Sequence, residues 1–407
     1  MRVNRNIRLL EAHALLVNMM FAIPVLIPYY RDEIGLSFRD FLLGEAAFAA
    51  TLVLLDVPMG WVSDLWQRKL VLALGTLIEL NGFILLLAAH GLATAMLAQV
   101  LIGVGICFLN GTNTALLYES LMAEGREAEY RRREGRRNGF GLYSVAAASL
   151  LGGMLYPRHH RLPVILTGAM QALAILAAGL LDEPERRRRR SERHPLADIA
   201  ATTHYALRHP QVGLIIVFAG VLFCSTKLIM WTQQPYYILM GLKENVFGLL
   251  MGTGFVLGGF SSQLAYRLDG KVVTRNALVL AWAIALAACL GAAVRPGWHG
   301  VALLILGGSC IWGMATPRVT EAINRYVDSA RRATVLSTQS LCVSLLFIPV
   351  SWVMGRLSES YGVRAMLVAL AGWLGLAGLG LAAWSRRSRT PQDEQNETAL
   401  KACASDF

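Results

Sequence analysis

Runs of about twenty apolar residues recur from one end of the chain to the other, each closed by glycine, proline or a knot of charge. No other feature constrains the fold as strongly, because about twenty helical residues cross the roughly 30 Å hydrocarbon core of a bilayer. Only 16% of the 407 residues are charged while 55% are hydrophobic, against about 25% charged in ordinary soluble domains. Lipid is therefore the expected solvent, and the backbone must satisfy its hydrogen bonds within helices. Using the breaks as boundaries, the runs predict spans at 7–30, 39–63, 70–90, 93–118, 137–157 and 162–181, then at 211–236, 244–268, 275–294, 298–320, 333–356 and 362–384.

The formal net charge of +11 follows from topology rather than from nucleic-acid binding. With the N terminus in the cytoplasm, about 29 Lys and Arg fall on cytoplasmic segments and about 8 on the opposite side, with Lys227 alone inside a span; loops that stay in the cytoplasm collect such residues. The chain is thus expected in the cytoplasmic (inner) membrane, multi-pass, with both termini cytoplasmic. The basic N terminus leads into a retained first span rather than a cleaved signal. The five arginines Arg186 to Arg190 read as a solvated anchor near lipid headgroups. They lie in the longest polar interior stretch, 182–210, which divides the chain into an N-terminal bundle, 1–181, and a C-terminal bundle, 211–384, followed by a polar cytoplasmic tail, 385–407. One common offset carries Gly153 onto Gly355 and Glu119 onto Glu321, as parallel repeats require.

The six cysteines show no CxxC spacing, so neither a disulfide frame nor a metal site is expected. There is no GxSxG, Walker A or HExxH sequence either, and hydrolysis has no visible machinery. An enzyme is not expected, nor a cofactor or an obligate protein partner.

Between the second and third spans stands Gly60, Trp61, Val62, Ser63, Asp64, Leu65, Trp66, Gln67, Arg68, Lys69, approached by Asp56, Val57, Pro58, Met59. This resembles the loop motif of the major facilitator superfamily, with Leu65 and Gln67 where a basic residue and a glycine are usual. Asn324, Arg325, Tyr326 and the run Arg332 to Ser337 resemble the family's entry to the eleventh helix. Gln99 to Gly105 is similar to a further motif, with Gln99 in the arginine position. The resemblance implies an all-α membrane protein of twelve transmembrane helices in two pseudo-symmetric six-helix bundles. In physical terms, Asp64 can bond the exposed N–H groups of a helix start across the mouth while Arg68 and Lys69 pair with carboxylates or lipid phosphate. Gly60, Asp64, Arg68, Lys69, Glu119 and Glu321 therefore read as a cytoplasmic latch, the competing reading being that Asp64 caps its own turn.

Ionisable groups inside a span are costly and mark function. Glu45 and Asp56 lie eleven residues apart on the second span, on one face and roughly 16 Å apart in depth. Lys227 of the seventh span shares the depth of Glu45, so Glu45, Asp56 and Lys227 are candidates for proton coupling or gating. The alternatives are snorkelling of Lys227 and a backbone-bonding role for Asp56. Glu79 reads as a partner of the second span, and Glu11 and His13 as solvated. The resemblance further implies that the first, fourth, seventh and tenth spans line a central cavity. There they carry Asn18, Met19, Phe21, Phe108, Asn110, Asn113, Thr226, Met230, Trp231, Gln234, Trp312 and Thr316. Such a lining, apolar and aromatic with neutral hydrogen-bonding groups, suits an amphiphilic organic molecule. The expectation is a proton-linked secondary transporter working by alternating access, with export of a drug-like or siderophore-like compound preferred. Uptake of an amphiphilic nutrient stands as one alternative, and a membrane sensor or lipid-modifying enzyme as another.

Overall fold

The computed structural model describes residues 2–184, 206, 208–267, 274–328 and 332–387, and all regular structure among them is helical. Most of the linker read at 182–210, with Arg186 to Arg190, lies outside the described residues, as does the tail from 388 onward.

The first half contains α1 (Arg2–Val17), α2 (Leu26–Tyr29), α3 (Phe38–Leu65), α4 (Arg68–Leu87), α5 (Leu92–Leu109), α6 (Thr112–Met122), α7 (Tyr130–Leu155) and α8 (Leu162–Gly179). The second contains α9 (Pro210–Leu239), α10 (Glu244–Arg267), α11 (Thr274–Val294), α12 (Trp298–Ile305), α13 (Ile311–Tyr326) and α14 (Arg332–Arg387). Several are pieces of one rod. The pair α5 and α6 is hinged at Gly111, whose φ of 75° lies in the left-handed region that only glycine enters freely. A π-helical turn, Leu306–Cys310, joins α12 to α13. At Gly362 (φ 82°) α14 folds into two rods. Among the described residues nine helices are long and apolar enough to cross a membrane, and the last of them, Thr334–Trp384, has the length of two crossings. The first and fifth rods complete the pattern: one is interrupted, and the other begins in an arginine-rich turn.

The first rod departs from the expected continuous span 7–30. Helix α1 stops at Val17, and regular hydrogen bonding resumes only at a 3-10 turn, Ile23–Val25. Pro24 and Pro28 remove two donors there. Neighbouring side chains supply partners for the freed backbone: the Ala22 N–H donates to Thr167 Oγ1 (3.2 Å), Gln234 Nε2 donates to the Ile23 carbonyl (2.8 Å), and the Ile27 N–H donates to Gln234 Oε1 (3.0 Å). Such breaks survive in lipid only where protein satisfies them.

One end of the bundle carries Arg68, Arg126, Arg133 and Arg325 and is called the basic end; the loops around residues 31–37, 156–161, 240–243 and 356–364 form the far end. The halves meet along two matched seams, α3 with α14 and α7 with α10. Gly153 and Gly355, paired by the sequence offset, hold equivalent places. A Cβ on Gly153 would lie 2.6 Å from the Gly248 nitrogen, and one on Gly355 3.3 Å from Arg39 Cα. Small residues here let backbones touch, which dispersion rewards in a bilayer where burial alone does not. Arg31 with Glu244 (3.4 Å) and Arg39 with Glu359 (2.9 Å) cross between the halves at the same end. The far end is closed.

Candidate functional site

At the centre of the closed region the Glu45 carboxylate is fully engaged. Lys227 Nζ lies 2.9 Å from Oε2, Trp231 Nε1 donates to the same oxygen (3.1 Å), and Gln99 Nε2 donates to Oε1 (3.2 Å). The side chains of Glu45 and Lys227 are 7% and 22% exposed. Local geometry dictates the cluster. Lys227 and Trp231 stand one turn apart on a single face of α9, and Glu45 lies in the second turn of α3, which is started by a reciprocal Ser37–Asp40 capping box. The ammonium also sits over two aromatic faces, Phe48 from the first half (5.1 Å) and Phe347 from the second (4.2 Å). Lys227 therefore has a second source of stabilisation when its carboxylate partner is lost.

Beside this cluster lies a cavity of about 190 Å³. Its wall is mainly apolar, including Met20, Leu26, Phe48, Phe83 and Ile102, and its charged groups are Glu45 and Lys227. A second, smaller pocket of about 90 Å³ lies toward the basic end, between Asp56 and Asn110 of the first half and Ser337, Thr338 and Ser344 of the second. Asn110 Nδ2 donates to Asp56 Oδ1 (2.8 Å), tying the hinge of the fourth rod to the second.

The remaining residues expected to line a cavity divide into two sets. Trp231 faces the larger cavity, and Met230, half-buried, packs beside Gly308. Gln234 is buried with its amide committed to the first rod, while Phe21 is buried with its carbonyl against Gly152. Thr226 is buried and donates to the Phe223 carbonyl, and Asn18 donates to the Ala14 carbonyl. Asn113 buries its Oδ1 without a hydrogen-bond partner among the described residues. Trp312 and Thr316 are exposed, Trp312 against Phe223 with ring centres 4.9 Å apart.

The loop motif assembles within the first half. Arg68 pairs with Glu119 (3.0 Å) and Asp64 (3.2 Å), and the N–H groups of Arg68 and Lys69, which open α4, donate to Glu183. A carboxylate at a helix start is favoured by the free N–H groups and the helix dipole. Glu321 pairs with Arg318 and Arg325 and accepts from Thr274, all in the second half. Gly60 has open space about its Cα.

Lys227 is not the only cation inside a span, contrary to the expectation from the charge pattern: Arg318 of the tenth is 3% exposed and donates to the Ala265 carbonyl. Its place among apolar neighbours is a readable signal, obscured by its nearness to the span's end. His13 and Glu11 are likewise buried rather than solvated, with His13 Nε2 on Thr76 Oγ1 (3.1 Å) and Glu11 near Arg136 (3.3 Å). Glu79 meets Gln171 of the sixth rod rather than the second span. The sequence does not single out Phe48 and Phe347 as site residues, since each looks like ordinary packing until its neighbours are known, and it marks Gln99 only as the occupant of a motif's arginine position.

Comparison with known proteins agrees with this architecture. The family model described as Major Facilitator Superfamily matches residues 12–348. The quinolone resistance protein NorA of Staphylococcus aureus (strain MRSA252) is 25% identical over 171 residues, 40% of this chain and 41% of that protein; the match thus spans under half of the relative's length. Among solved structures, a point mutant of the nucleoside transporter NupG superposes with a TM-score of 0.81 at 13% identity, covering 93% of this chain and 99% of that one. A bacterial homologue of the human lysosomal transporter Spinster, solved inward-facing and unoccupied, gives 0.76 at 16% identity, covering 96% and 99%. These likenesses carry the fold.

Proposed function

This chain belongs to the major facilitator superfamily, and we propose that it moves a small amphiphilic organic solute by proton-linked alternating access, working as an exporter. It is a multi-pass membrane transporter of a small solute rather than an enzyme. The substrate class, coupling and direction are our reading. We place it in the cytoplasmic membrane with both termini in the cytoplasm and a basic linker between two six-helix bundles, on the strength of the Lys and Arg distribution.

The observation that carries the reading is the Glu45–Lys227 pair, contributed by different halves and set beside a mainly apolar cavity. An amphiphile can bury its apolar body against such a wall and present a polar group to the charged pair. Glu45 accepts three donors as a carboxylate; a proton arriving there removes its attraction for Lys227 and weakens the far-end closure. In this reading the basic end is the cytoplasmic mouth, and the Arg68–Glu119 and Glu321–Arg325 clusters are gate elements. The inward-facing state of the Spinster homologue, alike in fold, supports taking the closed far end as the outer gate. The partial likeness to NorA, a protein named for quinolone resistance, supports a drug-like solute.

Solute flux in proteoliposomes tests this reading. With an imposed pH gradient, exchange of a fluorescent amphiphilic cation against protons is expected, and it should be abolished when the gradient is collapsed. Flux down the proton gradient together with the solute would replace export by uptake. Absence of gradient-driven flux across a panel of amphiphiles, nucleosides and peptides would remove proton coupling.

A further inference from the structure

A second carboxyl group lies inside the first bundle, away from the Glu45 cluster. Glu79 of α4 is 1% exposed, and Gln171 of α8 is 0% exposed. Gln171 Nε2 donates to Glu79 Oε1 (3.0 Å) and approaches the Val17 carbonyl (3.5 Å), the last residue of α1 before the first rod breaks. Two oxygen atoms of this pair are buried without a hydrogen-bond partner among the described residues: Glu79 Oε2 and Gln171 Oε1. Both are acceptors while the carboxyl is ionised, and two orphaned acceptors on adjoining side chains call for one shared donor.

The surroundings supply no cation. Helices α5 and α8, which pack on α4 at this level, contain no Asp, Glu, Lys, Arg or His. On α5 the contact is the Gly105 backbone, so close that a Cβ there would lie 2.8 Å from Glu79 Cβ. From α1 the facing titratable group is His13, one turn nearer the basic end. Thr76 gives its own proton to the Leu72 carbonyl (2.8 Å), so it accepts from His13 Nε2, and the unpartnered Nδ1 is then the bare nitrogen of a neutral ring. Glu11 lies near Arg136, Glu45 pairs with Lys227, Asp56 is held by Asn110, and Glu119 pairs with Arg68. An ionised carboxylate with one neutral donor and no counter-charge is costly in such an interior.

We propose that Glu79 is a proton-binding site distinct from the Glu45–Lys227 pair, its carboxyl holding one proton that closes a two-point acid–amide pair with Gln171. The Glu79 O–H donates to Gln171 Oε1 while Gln171 Nε2 donates back to Glu79 Oε1, and both orphaned atoms are satisfied together. Through Gln171 the pair also holds the Val17 carbonyl where the first rod is interrupted. Release of the proton leaves a carboxylate facing the Gln171 carbonyl oxygen. That arrangement repels, so α1 and α8 must part for water to reach it. Protonation of Glu79 therefore favours the conformation seen here.

Infrared difference spectroscopy on the purified full chain in lipid vesicles tests this directly and needs no solute, so it stands or falls apart from the transport reading. The wild type should show the carbonyl stretch of a protonated carboxylic acid at neutral pH, lost on strong alkalinisation. Glu79→Gln should lack that band yet melt close to the wild type, because an amide at this position reproduces both hydrogen bonds. Gln171→Leu should keep the band and shift it toward the frequency of an acid without an amide acceptor. A wild-type spectrum without the band, a band undiminished in Glu79→Gln, or an unshifted band in Gln171→Leu would overturn the proposal.

Discussion

Removing Lys227 and removing Glu45 should not be equivalent, although the two form one ion pair. In Lys227→Met the Glu45 carboxylate stays 7% exposed with two neutral donors, Trp231 and Gln99. Stripping the partner from a buried charge costs about 3–5 kcal/mol. In Glu45→Gln the ammonium is 22% exposed and remains over Phe48 and Phe347, where cation–π attraction is worth about 0.5–2 kcal/mol. The cost there should be smaller, about 1–3 kcal/mol. Each figure applies to the far-end-closed state, in which the pair forms, so it appears as a shift in the opening equilibrium. At about 1.4 kcal/mol per tenfold, Lys227→Met should favour far-end opening by roughly 10²-fold to several thousandfold and Glu45→Gln by the smaller factor of roughly 5- to 100-fold. The double variant, with no charge left, should fall back near the wild type. Spin labels at Arg158 and Lys243, exposed on the far loops of opposite halves, report the opening as a distance distribution in lipid. Equal shifts for the two single variants, or a double variant as open as Lys227→Met, would refute the reasoning.

Gly153→Ala sets a Cβ against the Gly248 backbone, whereas Gly355→Ala meets Arg39 at a distance that a small shift relieves; the same spin labels should therefore show a splayed far end in the first and near-normal closure in the second. Gln234→Leu leaves the Ile23 carbonyl and Ile27 N–H without their partner, and at about 1–3 kcal/mol for each unsatisfied group it should lower the melting temperature by several degrees, an effect absent if Gln234 served the solute alone. At the far-end corner, the side-chain hydrogen bond from Arg161 holds the Glu33 carboxyl below its usual range. A depressed acid stabilises the fold above its unfolded value of 4.5, and that contribution is lost as pH falls through the lower folded value. Glu33→Gln should accordingly be less stable than the wild type at neutral pH, with the melting difference starting to close as pH falls below 4.5 and vanishing below the folded value.

The part of the fold legible in the sequence is the part governed by one-dimensional rules. Span length follows from bilayer thickness, and the repeat from Gly153 and Gly355, which share a register because each lets two backbones touch at the same depth of equivalent seams. Glu45 and Lys227 can be singled out for a related reason. A lone charge in an apolar run needs a partner, and matched depth limits the choice; the structure sets the two 2.9 Å apart. Arg318 and His13 obey the same rule and escape it only because each lies near a span end, where the sequence cannot tell a solvated side chain from one buried under a neighbouring helix.

What the sequence does not disclose depends on partners contributed by other rods. Nothing in residues 17–25 beyond Pro24 shows that the helix stops there, since a proline also stands inside α3, α9 and α13 without ending them. The difference is that Thr167, Gln171 and Gln234 converge from two other rods to bind the freed backbone. Gln234 accordingly reads as a cavity residue in the sequence, because a glutamine on the seventh span looks the same whether its amide meets a solute or a broken helix. The same ambiguity applies to Gln99 and Gln171. Three glutamines in apolar runs each complete a contact that a carboxylate or an interrupted backbone requires. In a membrane interior a neutral amide can donate and accept at once without bringing a charge, so its presence in a span signals an unsatisfied group elsewhere before it signals a ligand.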